Sequence, residues 1–147
     1  FLLTTIFIIE KKSVFFVALF SSVAAYSLML VFYTLLPAFY PRDGHIAASL
    51  SGVLVELTRM IDGANNTFPS GHVTFAWLLV AFVSITNIAK KYSWVRPLYI
   101  AWACLISIST LVLKQHFIVD VVSGVTLAAL CYFLAKHFVF QRMLTTN

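Results

Sequence analysis

The sequence predicts an all-α, polytopic transmembrane helix bundle, and three observations predict it. Of its 147 residues, 61% are hydrophobic and 10% charged, at a mean hydropathy of +0.96. A soluble globule of that length has too little interior to hide so much apolar surface. Four stretches, residues 13–38, 71–89, 97–113 and 117–140, are uncharged or nearly so. Each is of a length to cross a hydrocarbon core, which takes roughly 20 helical residues at ~1.5 Å each. The charges punctuate these stretches as flanks of membrane helices do, which sets aside the nucleic-acid partner that a net charge of +5 suggests.

In chain order, residues 1–9 are apolar but too short to span and read as the truncated end of an earlier helix. The first complete span follows at 13–38. Within the long connection 39–70, Ile46, Leu50, Val53, Leu54, Leu57 and Ile61 recur at helical spacing, with Ser49, Glu56 and Arg59 elsewhere around the wheel. This pattern predicts a short amphipathic helix, lying either in the membrane interface or as a packed lid. Gly63 ends it, and Asn65, Asn66 and Pro69 lead by turns into the span 71–89. A tight turn at 114–116 joins the last two spans. Cys104 and Cys131 fall inside spans, where thiols behave as small apolar groups. Residues 1–147 therefore read as a single membrane domain.

Alternating helices put Lys11, Lys12, Lys90, Lys91, Arg96, Lys136 and Arg142 on one face, and Arg42, Arg59 and Lys114 on the other. Seven cations against three make the first face cytoplasmic by the positive-inside rule. The second face, then periplasmic, extracellular or lumenal, gathers Arg42, Asp43, His45, Asn65, Asn66, Ser70, His72, Lys114, His116 and Asp120. Structural charges have no reason to collect on one side, so this end is the expected site.

Within it, Pro69-Ser70-Gly71-His72 opens a span. The first turn of a helix leaves N–H groups unpaired and carries partial positive charge, so Ser70 and Gly71 there form either an anion cradle or a plain N-cap with a close-packed glycine. His116 and Asp120, four apart at the start of the last span, fall on one helix face. The carboxylate is expected to hold one imidazole nitrogen and leave the other for chemistry; a purely structural pair is the alternative. Two histidines and a carboxylate also suit a metal ion. No His-Glu-x-x-His pair is present, however, and Arg42 and Lys114 favour an anion over a dication.

These motifs resemble the type 2 phosphatidic acid phosphatase superfamily. Its second signature, Pro-Ser-Gly-His, is complete at Pro69 to His72. Its third, Ser-Arg-x5-His-x3-Asp, is present as Ser109, His116 and Asp120, with Thr110 where the arginine belongs. The first, Lys-x6-Arg-Pro, departs further: Leu35 stands seven residues before Arg42, and Pro41 precedes the arginine. Pro41-Arg42 and Leu113-Lys114-Gln115-His116-Phe117 instead look like the inositol phosphorylceramide synthase branch, with Lys114 in place of the missing arginine's charge. The resemblance implies that the chain is the last four helices of a six-helix protein.

It also implies a chemistry that uses no metal or cofactor. His116 would be the nucleophile, Asp120 its partner and His72 the acid for the leaving group. Arg42, Lys114, Ser70 and Gly71 would bind the phosphoryl oxygens. The expected function is a lipid phosphate or diphosphate phosphatase at the extracytoplasmic face. The alternatives are a lipid head-group phosphotransferase, and a non-catalytic membrane protein or transporter on the same scaffold.

Overall fold

In the structure of the chain, a computed structural model, residues 11–39, 49–61 and 66–145 are described, with side chains through Gln141 except that of Ile61. The expected helix end at 1–9, the loop residues Arg42, Asp43 and His45, and Gly63 and Asn65 lie outside the described residues. Six α-helices fill the described part: α1 (Lys12–Leu35), α2 (Leu50–Ile61), α3 (Gly71–Ser84), α4 (Asn87–Lys91), α5 (Val95–Val112) and α6 (Ile118–Thr145).

The bundle is organised around α3, which packs against α1, α5 and α6, while α1 also packs along α6. The sequence of α3 explains its place. It is apolar around most of its circumference, burying Val73, Thr74, Leu78, Val80, Phe82 and Val83, and a helix of that kind belongs in the interior of a bundle; His72 and Phe75 near its start stay exposed. A main cluster joins Val17, Ala25 and Met29 of α1 to Leu78 of α3 and Leu127 and Cys131 of α6. Trp77 Nε1 of α3 donates to Ser107 Oγ of α5 at 3.2 Å. The outer faces are the reverse of a soluble protein's: Tyr26, Leu30, Leu105 and Phe133 are all at least half exposed. That surface matches lipid as its solvent.

Three helices, α1, α5 and residues 118–141 of α6, are long and apolar enough to cross a membrane. The expected fourth complete span, 71–89, is corrected: it breaks after Ser84. Thr86 makes the break, its hydroxyl donating to Val83 O at 2.7 Å and accepting from Ala89 N at 3.3 Å to start α4. A threonine in extended conformation is an N-cap, and it competes with continuation of the helix. The remaining 14 residues of α3 extend about 21 Å, short of a ~30 Å core. Residues 97–113 form α5 with a start two positions earlier, at Val95.

The amphipathic helix is present as α2. Ser49 Oγ caps it by accepting from Gly52 N at 3.1 Å. Leu50, Val53, Leu54, Leu57 and Met60 are exposed along it. Arg59 ties it to the bundle, with Nη2 donating to Leu113 O at 3.1 Å.

Candidate active site

The end of the bundle where α3 and α6 begin and α5 finishes is drawn together by backbone contacts. Ser70 N donates to Asp120 O at 3.1 Å, which fixes the two helix starts against each other. At the same seam, a Cβ on Gly124 would stand 2.9 Å from Ser70 O and 3.2 Å from Thr74 Oγ1 and Val73 Cβ. Only glycine permits this approach, as small residues generally do where apolar helices pack backbone to backbone. Tyr33 of α1 completes the enclosure, its hydroxyl donating to Pro69 O at 3.0 Å.

Ser70 is fully buried and caps α3, its Oγ accepting from Val73 N at 3.5 Å. Its carbonyl accepts from the Thr74 hydroxyl at 2.8 Å. The capping alternative is thus the geometry adopted by this side chain. At the next residue, Gly71, a Cβ would make ordinary van der Waals contact with Tyr33 Oη at 3.5 Å and Met29 Sδ at 3.7 Å.

His116 and Asp120 are arranged differently from the expected helical pair. Helix α6 starts at Ile118, so His116 lies just before it, on the turn from α5. Asp120 is the third helical residue, and its Oδ2 accepts from Phe117 N at 2.8 Å. This is the return half of a capping box, in which an acidic side chain reaches back to the N-cap amide. The imidazole Nδ1 stands 3.6 Å from that Oδ2, beyond hydrogen-bond distance, and 2.9 Å from Thr67 O. A carbonyl only accepts, so Nδ1 carries the hydrogen and the lone pair belongs to Nε2. His116 is 7% exposed and Asp120 2%, so both side chains are largely shielded from water.

Across from His116 stands His72, exposed in the first turn of α3, with ring centroids 6.3 Å apart at 64°. Both line a cavity of about 760 Å³, together with Tyr33, Gly71 and Gln115. From this polar end the wall runs on through Phe75, Ala76 and Leu79 of α3 and Ile106 of α5. Of the catalytic and phosphate-binding residues expected from the sequence, the cavity therefore brings together Gly71, His72 and His116, and Asn66 and Ser109 line it as well. Ser70 and Asp120 are buried outside its lining. Lys114 is exposed, with φ 52°, also outside the lining. Arg42 lies outside the described residues. Among the described residues, no group of three or more His, Cys, Asp or Glu side chains is placed to hold a metal ion.

Sequence reasoning missed Thr67 and Tyr33, and named Arg59 only as a flanking cation and Gln115 only within the motif around His116. Thr67 acts through its backbone carbonyl, which no side-chain pattern announces. Tyr33 and Gln115 did leave a signal, since each puts a polar group in an apolar setting where it needs a partner.

The described part is an all-α bundle with three helices long and apolar enough to cross a membrane, and the histidines His72 and His116 face each other at one end of it. The chain belongs to the PAP2 superfamily, whose family description matches residues 11–144. Membership implies phosphatase or phosphotransferase activity on a phosphate ester. Neither a curated protein nor a solved structure matches the chain.

Proposed function

We propose that the chain is a metal-independent lipid-phosphate phosphatase working through a phosphohistidine on His116. The observation that carries this reading is the 2.9 Å contact of His116 Nδ1 with Thr67 O. It commits the hydrogen to Nδ1 and the lone pair to Nε2, on a ring that lines the cavity. In the first step Nε2 attacks phosphorus, the bond from phosphorus to the lipid oxygen breaks in line, and that oxygen takes a proton from His72. The ring becomes cationic, and Asp120, 3.6 Å from Nδ1, stabilises the charge. His72, now neutral, takes a proton from water as the water oxygen bonds to phosphorus. The bond to Nε2 then breaks and phosphate leaves.

The Gly71 N–H, among the unpaired donors at the start of α3, is assigned to a phosphoryl oxygen; Ser70 keeps that helix start in shape. Arg42 and Lys114 remain the proposed cations. The proposed face is extracytoplasmic, on the charge bias of the loops. A cysteine introduced at Ser49 is accordingly expected to react with an impermeant thiol reagent in intact cells. Labelling only after lysis would reverse the orientation.

A lipid substrate is supported by the shape of the cavity. His72, Phe75, Ala76 and Leu79 recur down α3 at helical spacing. Leu79 also lines a second cavity of about 350 Å³ with Leu98, Tyr99 and Trp102 of α5. From Leu113 to Leu98 the seam runs about 22 Å, longer than one leaflet's ~15 Å share of the hydrocarbon core. The two cavities share Leu79 and are read as one groove along this seam. Filling the junction by Leu79→Trp is expected to lower kcat/KM for a long-chain lipid phosphate roughly 10- to 100-fold. A short-chain alkyl phosphate should be spared. Equal losses on both substrates would remove the groove from the argument.

The direct test is a panel of lipid phosphates and diphosphates with EDTA present, with and without a diacylglycerol or ceramide acceptor. The expected result is free phosphate in every arm that reacts. Transfer to the acceptor would establish the phosphotransferase alternative, and activity restored by one divalent ion after EDTA would establish a metallophosphatase.

A further inference from the structure

Gln115 stands directly before His116 and is 4% exposed. Its backbone is used: the N–H donates to Thr110 O at 2.9 Å and holds the turn that carries His116. Its side chain is not. Nε2 is buried and has no hydrogen-bond partner among the described residues, although the residue lines the same cavity as His72 and His116. A buried amide with no partner is costly, and an apolar side chain of the same length would avoid that cost.

We propose that the Gln115 amide is a substrate-contacting group that donates a hydrogen bond to the phosphoryl group undergoing transfer at His116; this rests on the phosphoryl-transfer reading above. A phosphoryl group presents only acceptor oxygens, which suits an amide N–H2. Gln115 and His116 line the same cavity, and on that shared lining the amide is assigned to the phosphoryl group held there. Its terminal torsion is close to two-fold, and a half-turn brings either end of the amide to the cavity. As charge builds on the equatorial oxygens in the transition state, a donor already in place strengthens without reorganisation.

The test compares Gln115→Met and Gln115→Glu with the wild type in the full chain, measuring kcat on a lipid phosphate, inhibition by orthovanadate, and thermal unfolding in detergent. In Gln115→Met, kcat is expected to fall roughly 100-fold, as when one transition-state donor is removed. Vanadate inhibition should weaken with it, while Tm stays unchanged or rises because the unpaired amide is gone. Gln115→Glu should lose more of both activity and vanadate binding, because a carboxylate faces the anion. A Tm that falls together with kcat in Gln115→Met would give the amide a structural role and overturn the proposal. So would unchanged vanadate inhibition. If the wild type neither cleaves a phosphate ester nor responds to vanadate, the phosphoryl-transfer reading falls and this proposal with it.

Discussion

Replacing His116 by alanine is expected to eliminate turnover and any trappable phosphoenzyme, while replacing His72 leaves a reaction that the right substrate restores. The difference follows from what each imidazole is asked to do. His116 offers Nε2 as the atom that bonds to phosphorus, and no neighbouring group can take over a covalent role. His72, 6.3 Å away between ring centroids, supplies a proton to the leaving oxygen, a contribution typically worth about 10²–10⁴-fold. A nitrophenyl phosphate has an acidic leaving group that needs little protonation, so it should recover much of the loss in His72→Ala and none in His116→Ala. Asp120→Asn should fall between them, because Thr67 O still holds Nδ1 while the charge beside the ring is lost. The measurements are steady-state rates on both substrates and trapping with labelled substrate. Equal rescue of the two histidine variants, or a phosphoenzyme that persists in His116→Ala, would reverse the roles.

Gly124 is expected to be the most sensitive position away from the cavity. Two effects oppose each other in Gly124→Ala. Alanine gains roughly 0.5–1 kcal/mol over glycine within a helix, while forcing a methyl into a packed seam costs about 1–3 kcal/mol. The nearest obstacle is the Ser70 carbonyl at 2.9 Å, a backbone atom tied to Thr74 N at 3.0 Å and to the Thr74 hydroxyl. It cannot yield as the end of a flexible side chain would, so the clash should outweigh the propensity. Gly124→Val, with two further carbons aimed at Thr74 and Val73, should do more, pushing α6 from α3 and parting His116 from His72. Thermal unfolding in detergent and kcat should therefore fall together, in the order glycine, alanine, valine. An alanine variant with raised Tm and full activity would mean that the seam relaxes freely.

Much of the fold was legible because its signals are local. Uncharged runs mark spans, and the 3–4 spacing of Leu50, Val53, Leu54 and Leu57 marks α2. The exception was the run 71–89, where hydropathy alone could not reveal that Thr86 caps a new helix and leaves α3 short. For the candidate site, Pro69-Ser70-Gly71-His72 and the His116–Asp120 spacing pointed to the end of the bundle where the two imidazole rings face each other, because ionisable groups in apolar helices are conspicuous.

The sequence by itself determined the all-α class with helices long and apolar enough to cross a membrane, the amphipathic helix and the end of the bundle where the histidines meet, all from composition and short-range spacing. Only the tertiary structure decided that α3 stands at the centre and that Asp120 caps α6. It also decided that a backbone carbonyl 49 residues away in sequence holds His116 Nδ1 and that Gln115 lines the cavity with its amide nitrogen unpaired among the described residues. These depend on which surfaces meet when helices pack. Such pairings are set by the close fit of glycines and carbonyls across seams, and a carbonyl is the same atom in every residue.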